Sequence, residues 1–140
     1  MDTPFVDVDK HIRITSGTEW SNQVCDYVFS LDSPDKSLDF IDQRRFNLLY
    51  PHWSYELELY PRPYTIEQGR RYIEKFDAII GHHSHVLQPL TQADHNAAET
   101  IIAYGLGDIC PRKKYEKYHF GIALKFDVVL NKEKNGLSEI

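Results

Sequence analysis

The sequence predicts a single α/β domain, and two observations carry that expectation. A strand–helix–strand unit is legible between Phe46 and Gly81, and two further strand-like runs follow it, at Thr100–Tyr104 and Phe120–Leu130. Parallel strands need a helical crossover of this kind. At 140 residues, 41% hydrophobic and 26% charged, the chain has the size and balance of one globular unit with its own core, so residues 1–140 are read as one domain.

The first 45 residues are weakly patterned. His11–Thr15 alternates polar and apolar, as a short strand does. Gln23–Leu31 fits a strand or a helix, and periodicity does not decide between them. Ser30–Ser37 is rich in turn formers and reads as a loop, with Ser37 placed to cap a short segment toward Arg45. Phe46–Tyr50 is an apolar run closed by Pro51, which suits a buried strand. Pro61–Tyr64 is a stiff extended loop. Thr65 with Gln68 forms a capping box for a helix to about Lys75, with Ile66, Tyr72, Ile73 and Phe76 near one face. Asp77–Ile80 follows as a strand ended by Gly81, which lets the backbone turn. Thr91–Glu99 is small and polar, a mobile loop, and Gly105–Gly107 breaks the strand Thr100–Tyr104. Pro111–Lys117 is a basic, tyrosine-bearing loop. Asn131–Gly136 has hairpin-turn character after the Phe120–Leu130 strand, and Leu137–Ile140 has the pattern to start another.

Composition excludes several classes of function. A net charge of −5 gives no basic footprint for broad nucleic-acid binding. No apolar run approaches the roughly 20 residues that cross a bilayer, and Met1–Pro4 opens no signal peptide, so localisation stays open. Cys25 and Cys110 have no CxxC partner, which disfavours a disulfide scaffold or a cysteine metal site.

The most informative stretch is Gly81-His82-His83-Ser84-His85, at the end of a strand. In open α/β sheets, ligands bind at that carboxyl edge. Imidazole is the commonest metal ligand near neutral pH. The His-x-His spacing of His83 and His85 suits one ion or two neighbouring ions, and in an extended segment both side chains would share a side. His52 also follows a strand end and should lie on the same edge. His52, His83 and His85 are therefore the expected metal ligands, with imidazole nitrogens converging, and His82 is expected to point elsewhere or lie at the rim. Glu56 is the nearest carboxylate, available as a ligand or as a ligand's hydrogen-bond partner. His11, His95 and His119 read as ordinary. The Asp9-Lys10-His11 triplet has a spacing found in two-metal phosphoesterases but lacks a preceding strand, and is read as chance.

Four motifs then occur in order: His52-Trp53-Ser54-Tyr55-Glu56, Pro63 with Gln68, Gly81-His82-His83-Ser84-His85-Val86-Leu87-Gln88, and Tyr104-Gly105-Leu106-Gly107-Asp108-Ile109. This region, with a motif-bearing core over 46–110, resembles the CapA family. These are capsule and poly-γ-glutamate synthesis proteins of the metallophosphatase, or calcineurin-like phosphoesterase, superfamily. In that family the motifs run His-Trp-Gly-x-Glu, Gly-His-His-Pro-His-Val-Leu-Gln and Tyr-Ser-Leu-Gly-Asn-Phe. Here Ser54 replaces a glycine, Gly105 a serine and Asp108 an asparagine.

The resemblance implies a β-sandwich flanked by helices, with metals at the strand ends, and histidine ligands matching His52, His83 and His85. The superfamily's bridging aspartate and asparagine–histidine pair have no match before His52. The chain thus resembles the second half of the four-layer αββα fold. Two functions are expected on this basis. One is a metal-dependent phosphoesterase-like hydrolase binding Mn, Fe or Zn and acting on a phosphoester or polymer-related substrate, completed by a separate N-terminal half. The other is a non-catalytic remnant or accessory protein in exopolymer synthesis or export. A mononuclear three-histidine zinc hydrolase, needing a water in the fourth position, is a third reading. Half a sandwich leaves a sheet face uncovered, so a homo-oligomer or a second chain is expected as partner.

Overall fold

The computed structural model describes residues 3–20, 25, 27–95, 98–109 and 120–128, with the backbone alone for 93–95 and 98–99. It is an α/β structure around one seven-stranded mixed sheet. In chain order the strands are β1 (Phe5–Asp7), β2 (Ile12–Thr18), β3 (Phe29–Ser30), β4 (Phe46–His52), β5 (Ala78–Ile80), β6 (Leu90–His95) and β7 (Ala98–Ala103). A 3-10 turn spans Pro34–Phe40, and helix α1 spans Pro63–Ile73. Among the described residues no helix is long and apolar enough to cross a membrane.

The sheet order is β1-β2-β4-β5-β7-β6, with β3 pairing beside β2. Strands β2, β4, β5 and β7 are mutually parallel, and β1 and β6 run antiparallel at the two ends. The β4–α1–β5 segment is the crossover that the sequence pattern implied. Register fixes two faces. Leu49, Ile79 and Ile102 stand side by side across three strands, nearly or fully buried. Tyr72, Ile73 and Phe76 from α1 and its C-terminal end cover them, with Phe29, Leu31, Trp53 and Tyr104 completing the cluster. Burying each such side chain contributes about 1.5–3 kcal/mol, which is why this face is the core.

The opposite face carries Ile14, Leu48, Tyr50 and His52 in aligned positions. It is covered in part by residues 120–128, where Phe126 packs on Phe46 at 6.0 Å between ring centroids. The amino ends of the strands are tied by polar contacts. Asp77 Oδ2 accepts the Asn47 N–H at 2.7 Å, and the Asn47 side chain bridges Asp42 and Arg45. The Arg44 guanidinium, with Arg45 behind it, holds the Asp42 carboxyl well below the usual carboxylate range.

Several expectations change. Thr65 is not the helix N-cap: α1 begins at Pro63 after Arg62, because proline at the first helical position has its φ already set and lacks a donor to satisfy. Thr65 is instead buried inside the helix. Within the polar Thr91–Glu99 stretch, residues 91–95 lie in β6 and residues 98–99 in β7, paired antiparallel, and so are not loop. Edge pairing with β7 overrides a composition of poor strand formers. Residues 120–128 form no strand, although Leu124, Phe126 and Val128 alternate with exposed neighbours. The side-chain period of a strand is present there without the ladder. Strand β2 runs on to Thr18, and Ser37 sits within the 3-10 turn, its hydroxyl donating to Pro34 O. Pro111–Lys117, Cys110, His119, the 131–136 turn and the Leu137–Ile140 segment lie outside the described residues.

Candidate metal centre

Four parallel strands deliver their carboxyl ends to one edge. β2 ends at Thr18, β4 at His52 and β5 just before Gly81-His82, while β7 leads into Leu106-Gly107-Asp108. In-register pairing sets Thr18 beside His52, and a parallel bridge sets His52 beside His82. The edge is therefore built by sheet register, and the histidines inherit their proximity from it.

Trp53 and His52 show how the motif works. Alternation turns Trp53 into the core, where it is fully buried, stacks on Tyr104 at 5.6 Å and donates its indole N–H to Tyr104 O at 2.9 Å. His52, one residue earlier, takes the other face. Gly81 lies beneath the indole: a Cβ there would come within 2.1 Å of Trp53 Nε1 and 2.4 Å of Tyr104 O. Close packing therefore requires this glycine, where the sequence suggested a turn.

The rings gather closely. His52 and His83 have centroids 4.1 Å apart, and His83 and His85 6.3 Å. One ligand atom each from Glu56, His83 and His85 lies within 4.8 Å of the others. This is the tightest assembly of potential ligands among the described residues, and it draws in Glu56, which the sequence marked only as the nearest carboxylate. A cavity of about 390 Å³ opens over the group, lined by His52, His82, His83 and His85 with Asp108. A second cleft of about 310 Å³ lies on the β2 side and shares Tyr50, His52 and His82.

His82, expected to point elsewhere or lie at the rim, stands outside the Glu56–His83–His85 group. It packs edge-on against His52 at 5.1 Å and stacks on Tyr50 at 4.4 Å. Burial first, then the neighbouring histidines, pushes its imidazole down to about 4. Burial likewise lowers His52 and His83 from the ordinary value of 6.5. These rings are neutral at pH 7, the state in which imidazole nitrogen holds a metal.

Nor is the histidine stretch extended. His83 has φ +98° and His85 φ +58°. Both rings reach the site through left-handed backbone, which replaces the same-side argument from strand alternation. The preceding loop is similar, with Ser54 at +68° and Leu57 at +61°. It is clamped from β2's end: Glu19 Oε2 accepts the Ser54 N–H at 2.7 Å, and Trp20 Nε1 donates to Ser54 O at 3.1 Å. Leu57 N–H donates to Ser84 O at 2.8 Å, tying the two loops together.

Two polar contacts orient rings. Thr18 donates its hydroxyl to Trp20 O at 2.7 Å, leaving its oxygen to accept from His52 Nδ1 at 3.4 Å. His85 Nδ1 lies 3.0 Å from Asp108 Oδ1. Asp9, by contrast, precedes the opposite end of β2, where its carboxylate accepts the N–H groups of His11 and Ile12. Thr18 lies six steps along the strand from Ile12, roughly 20 Å by strand rise, which removes Asp9 and His11 from this edge.

No curated protein matches the chain significantly. One similar solved structure is a hypothetical protein from Thermus thermophilus, at 12% identity and a TM-score of 0.45; the match covers 74% of this chain and 37% of that one. The chain thus spans about a third of the length of that protein. A family model, described as bacterial capsule synthesis protein PGA_cap, matches residues 36–112. That segment is more than half of the chain and contains β4, α1, β5 and every histidine of the cluster, and the chain belongs to the bacterial capsule synthesis protein PGA_cap family.

Proposed function

We propose that the carboxyl edge is the histidine-bearing part of a metallophosphoesterase-like centre, in which His52, His83 and His85, joined by Glu56, hold a divalent first-row ion. The observation that carries this reading is the approach of Glu56, His83 and His85 ligand atoms to within 4.8 Å of one another. The donor chemistry fits: imidazoles with one carboxylate suit Zn, Fe or Mn. A bound ion would supply Lewis-acid polarisation of a phosphoryl oxygen and activation of water. The chain's own residues position it. Thr18 orients His52, the Glu19–Trp20 clamp holds the loop bearing Glu56, and His82 packs edge-on against His52.

The centre is read as incomplete within residues 1–140, whose whole we treat as one domain. Asp9 and His11, the acid–histidine triplet, lie at the wrong edge of the sheet. A two-ion clamp would therefore take its bridging carboxylate from elsewhere in a longer chain or from a partner. The partly covered face bearing Ile14, Leu48 and Tyr50 would receive that partner, or a second copy. The same placement of Asp9 favours the second reading, a non-catalytic accessory in capsule or related exopolymer synthesis.

Metal analysis of the purified protein, then a phosphodiester assay with added Mn, tests both readings. Bound metal is expected, lost at least 10–100-fold in affinity in His85→Ala, with little turnover by the isolated chain. His95→Ala should retain its metal: His95 pairs with Ala98, at the end of the β6–β7 ladder remote from the edge reached by Ala103. Absence of saturable binding would sink the metal reading. Robust turnover abolished by His85→Ala would sink the incompleteness.

A further inference from the structure

We infer that Asp108 is a positioning residue for His85: its carboxylate accepts the Nδ1 proton, fixes the neutral tautomer with Nε2 unprotonated, and leaves that nitrogen free for the site. The inference rests on reading the cluster as a metal centre, but its first test does not.

Both carboxylate oxygens approach His85 Nδ1, at 3.0 and 3.3 Å. A carboxylate accepts only, so the hydrogen in this contact is the ring's. In a neutral imidazole, a proton on Nδ1 leaves the lone pair on Nε2. Ring and carboxylate are about half and one third exposed, so the pair adds little to stability. Its consequence is orientation, the role carboxylates commonly take behind ligating histidines.

The fold places Asp108 with care. Gly107 has φ +74°, and a Cβ there would come within 2.2 Å of Phe120 O. A Cβ on Gly121 would come within 2.6 Å of Asp108 O. Ile122 N–H donates to Leu106 O at 2.9 Å, and Leu106 bridges to Leu87 beyond the histidine stretch. Two glycine-permitted backbone approaches thus press the Asp108 loop between residues 120–122 and the His85 loop. The sequence signal was the Asp in place of the family's asparagine, which exchanges a neutral acceptor for a charged one at the same position.

The test starts with metal-free protein. Long-range 1H–15N correlation of the histidine side chains at pH 8 should show His85 protonated on Nδ1. Asp108→Ala should move that proton to Nε2. Asp108→Asn, which keeps an acceptor oxygen, should restore the Nδ1–H form. Zinc titration of the same proteins should then show a 10–100-fold weaker Kd for Asp108→Ala and a smaller loss for Asp108→Asn. An Nε2–H His85 in the wild-type protein, or a tautomer unmoved by Asp108→Ala, overturns the inference whether or not metal binds. So does an Asp108→Ala Kd equal to wild type. If wild type shows the Nδ1–H tautomer yet binds no zinc, the metal reading fails and the positioning of His85 by Asp108 stands.

Discussion

Replacing Ser54 by glycine should stabilise this protein. Ser54 is fully buried at φ +68°, and its hydroxyl is a buried polar atom without a hydrogen-bond partner. A left-handed conformation costs an L-residue roughly 1–2 kcal/mol. A buried hydroxyl with no partner costs about 1–3 kcal/mol. Glycine removes both. Against this, glycine adds about 0.4–1 kcal/mol of unfolded-state freedom, and the deleted methylene forfeits about 0.8 kcal/mol of burial. The net expectation is a gain of about 2 kcal/mol, or about 7 °C in Tm for a domain of this size.

Thermal and urea unfolding of wild type, Ser54→Gly and Ser54→Ala read this directly. Alanine removes the hydroxyl but keeps the Cβ in the left-handed region; the strain it retains is matched by the burial and chain stiffness it keeps, so it should gain about as much as glycine. The Glu19 and Trp20 contacts are to Ser54 backbone atoms and survive in both variants. A Tm for Ser54→Gly at or below wild type would refute the reasoning, as would an alanine variant no more stable than wild type.

Three further outcomes are expected. Gly105→Ala should cost about 1–3 kcal/mol by overpacking, because a Cβ there meets Ser84 Oγ at 2.4 Å; combining it with Ser84→Ala should recover at least 0.5 kcal/mol in a double-mutant cycle. The metal-free protein should be fully stable above pH 6.5 and lose stability between there and about 4, because the unfolded chain protonates its His82 first while the buried ring resists; the loss is about 3 kcal/mol in urea melts, and His82→Phe should flatten the slope. Metal at 100 times the wild-type Kd should add about 2.7 kcal/mol to the wild type and no more than about 0.4–1.4 kcal/mol to His85→Ala, read by thermal shift.

The elements legible in the sequence were those whose pattern and packing agree. Phe46–Tyr50 is apolar, stops at a proline and becomes the centre of the sheet. The face of α1 that buries Tyr72 and Ile73 is the face its periodicity marks. The histidine-bearing edge was legible too, because strand ends and parallel order together place His52 near His82 and His83. What escaped was set by contacts distant in sequence. β6 exists through pairing with β7, and nothing local in Leu90–His95 requires it. Gly81 answers to Trp53, 28 residues away. Glu56 joins the cluster because Glu19 and Trp20, just past the end of β2, clamp Ser54. Asp108 reaches His85 only because glycines at 107 and 121 let two backbones meet.

Among the described residues, the non-glycine positions with left-handed backbone are Ser54, Leu57, His83 and His85, all in the two loops that carry the cluster. Such conformations cost of order 1–3 kcal/mol each and persist only where surrounding contacts over-determine them. That concentration makes a signed prediction at His83, where φ is +98°. At an ordinary position alanine is more stable than glycine by about 0.5–1 kcal/mol. At His83 both His83→Ala and His83→Gly delete the ring and its contact with His52, so that loss cancels between them. What remains is backbone, and it should invert the order: His83→Gly more stable than His83→Ala by about 1 kcal/mol in urea unfolding of metal-free protein. Neither variant should keep wild-type metal affinity, since each lacks the imidazole. If alanine proves the more stable of the two, the loop is not strained at His83, and the backbone geometry that brings His83 and His85 to Glu56 is wrong. If the inversion is found, the loop holds its histidines against a local preference, and a ligand between them is the compensation the chemistry offers.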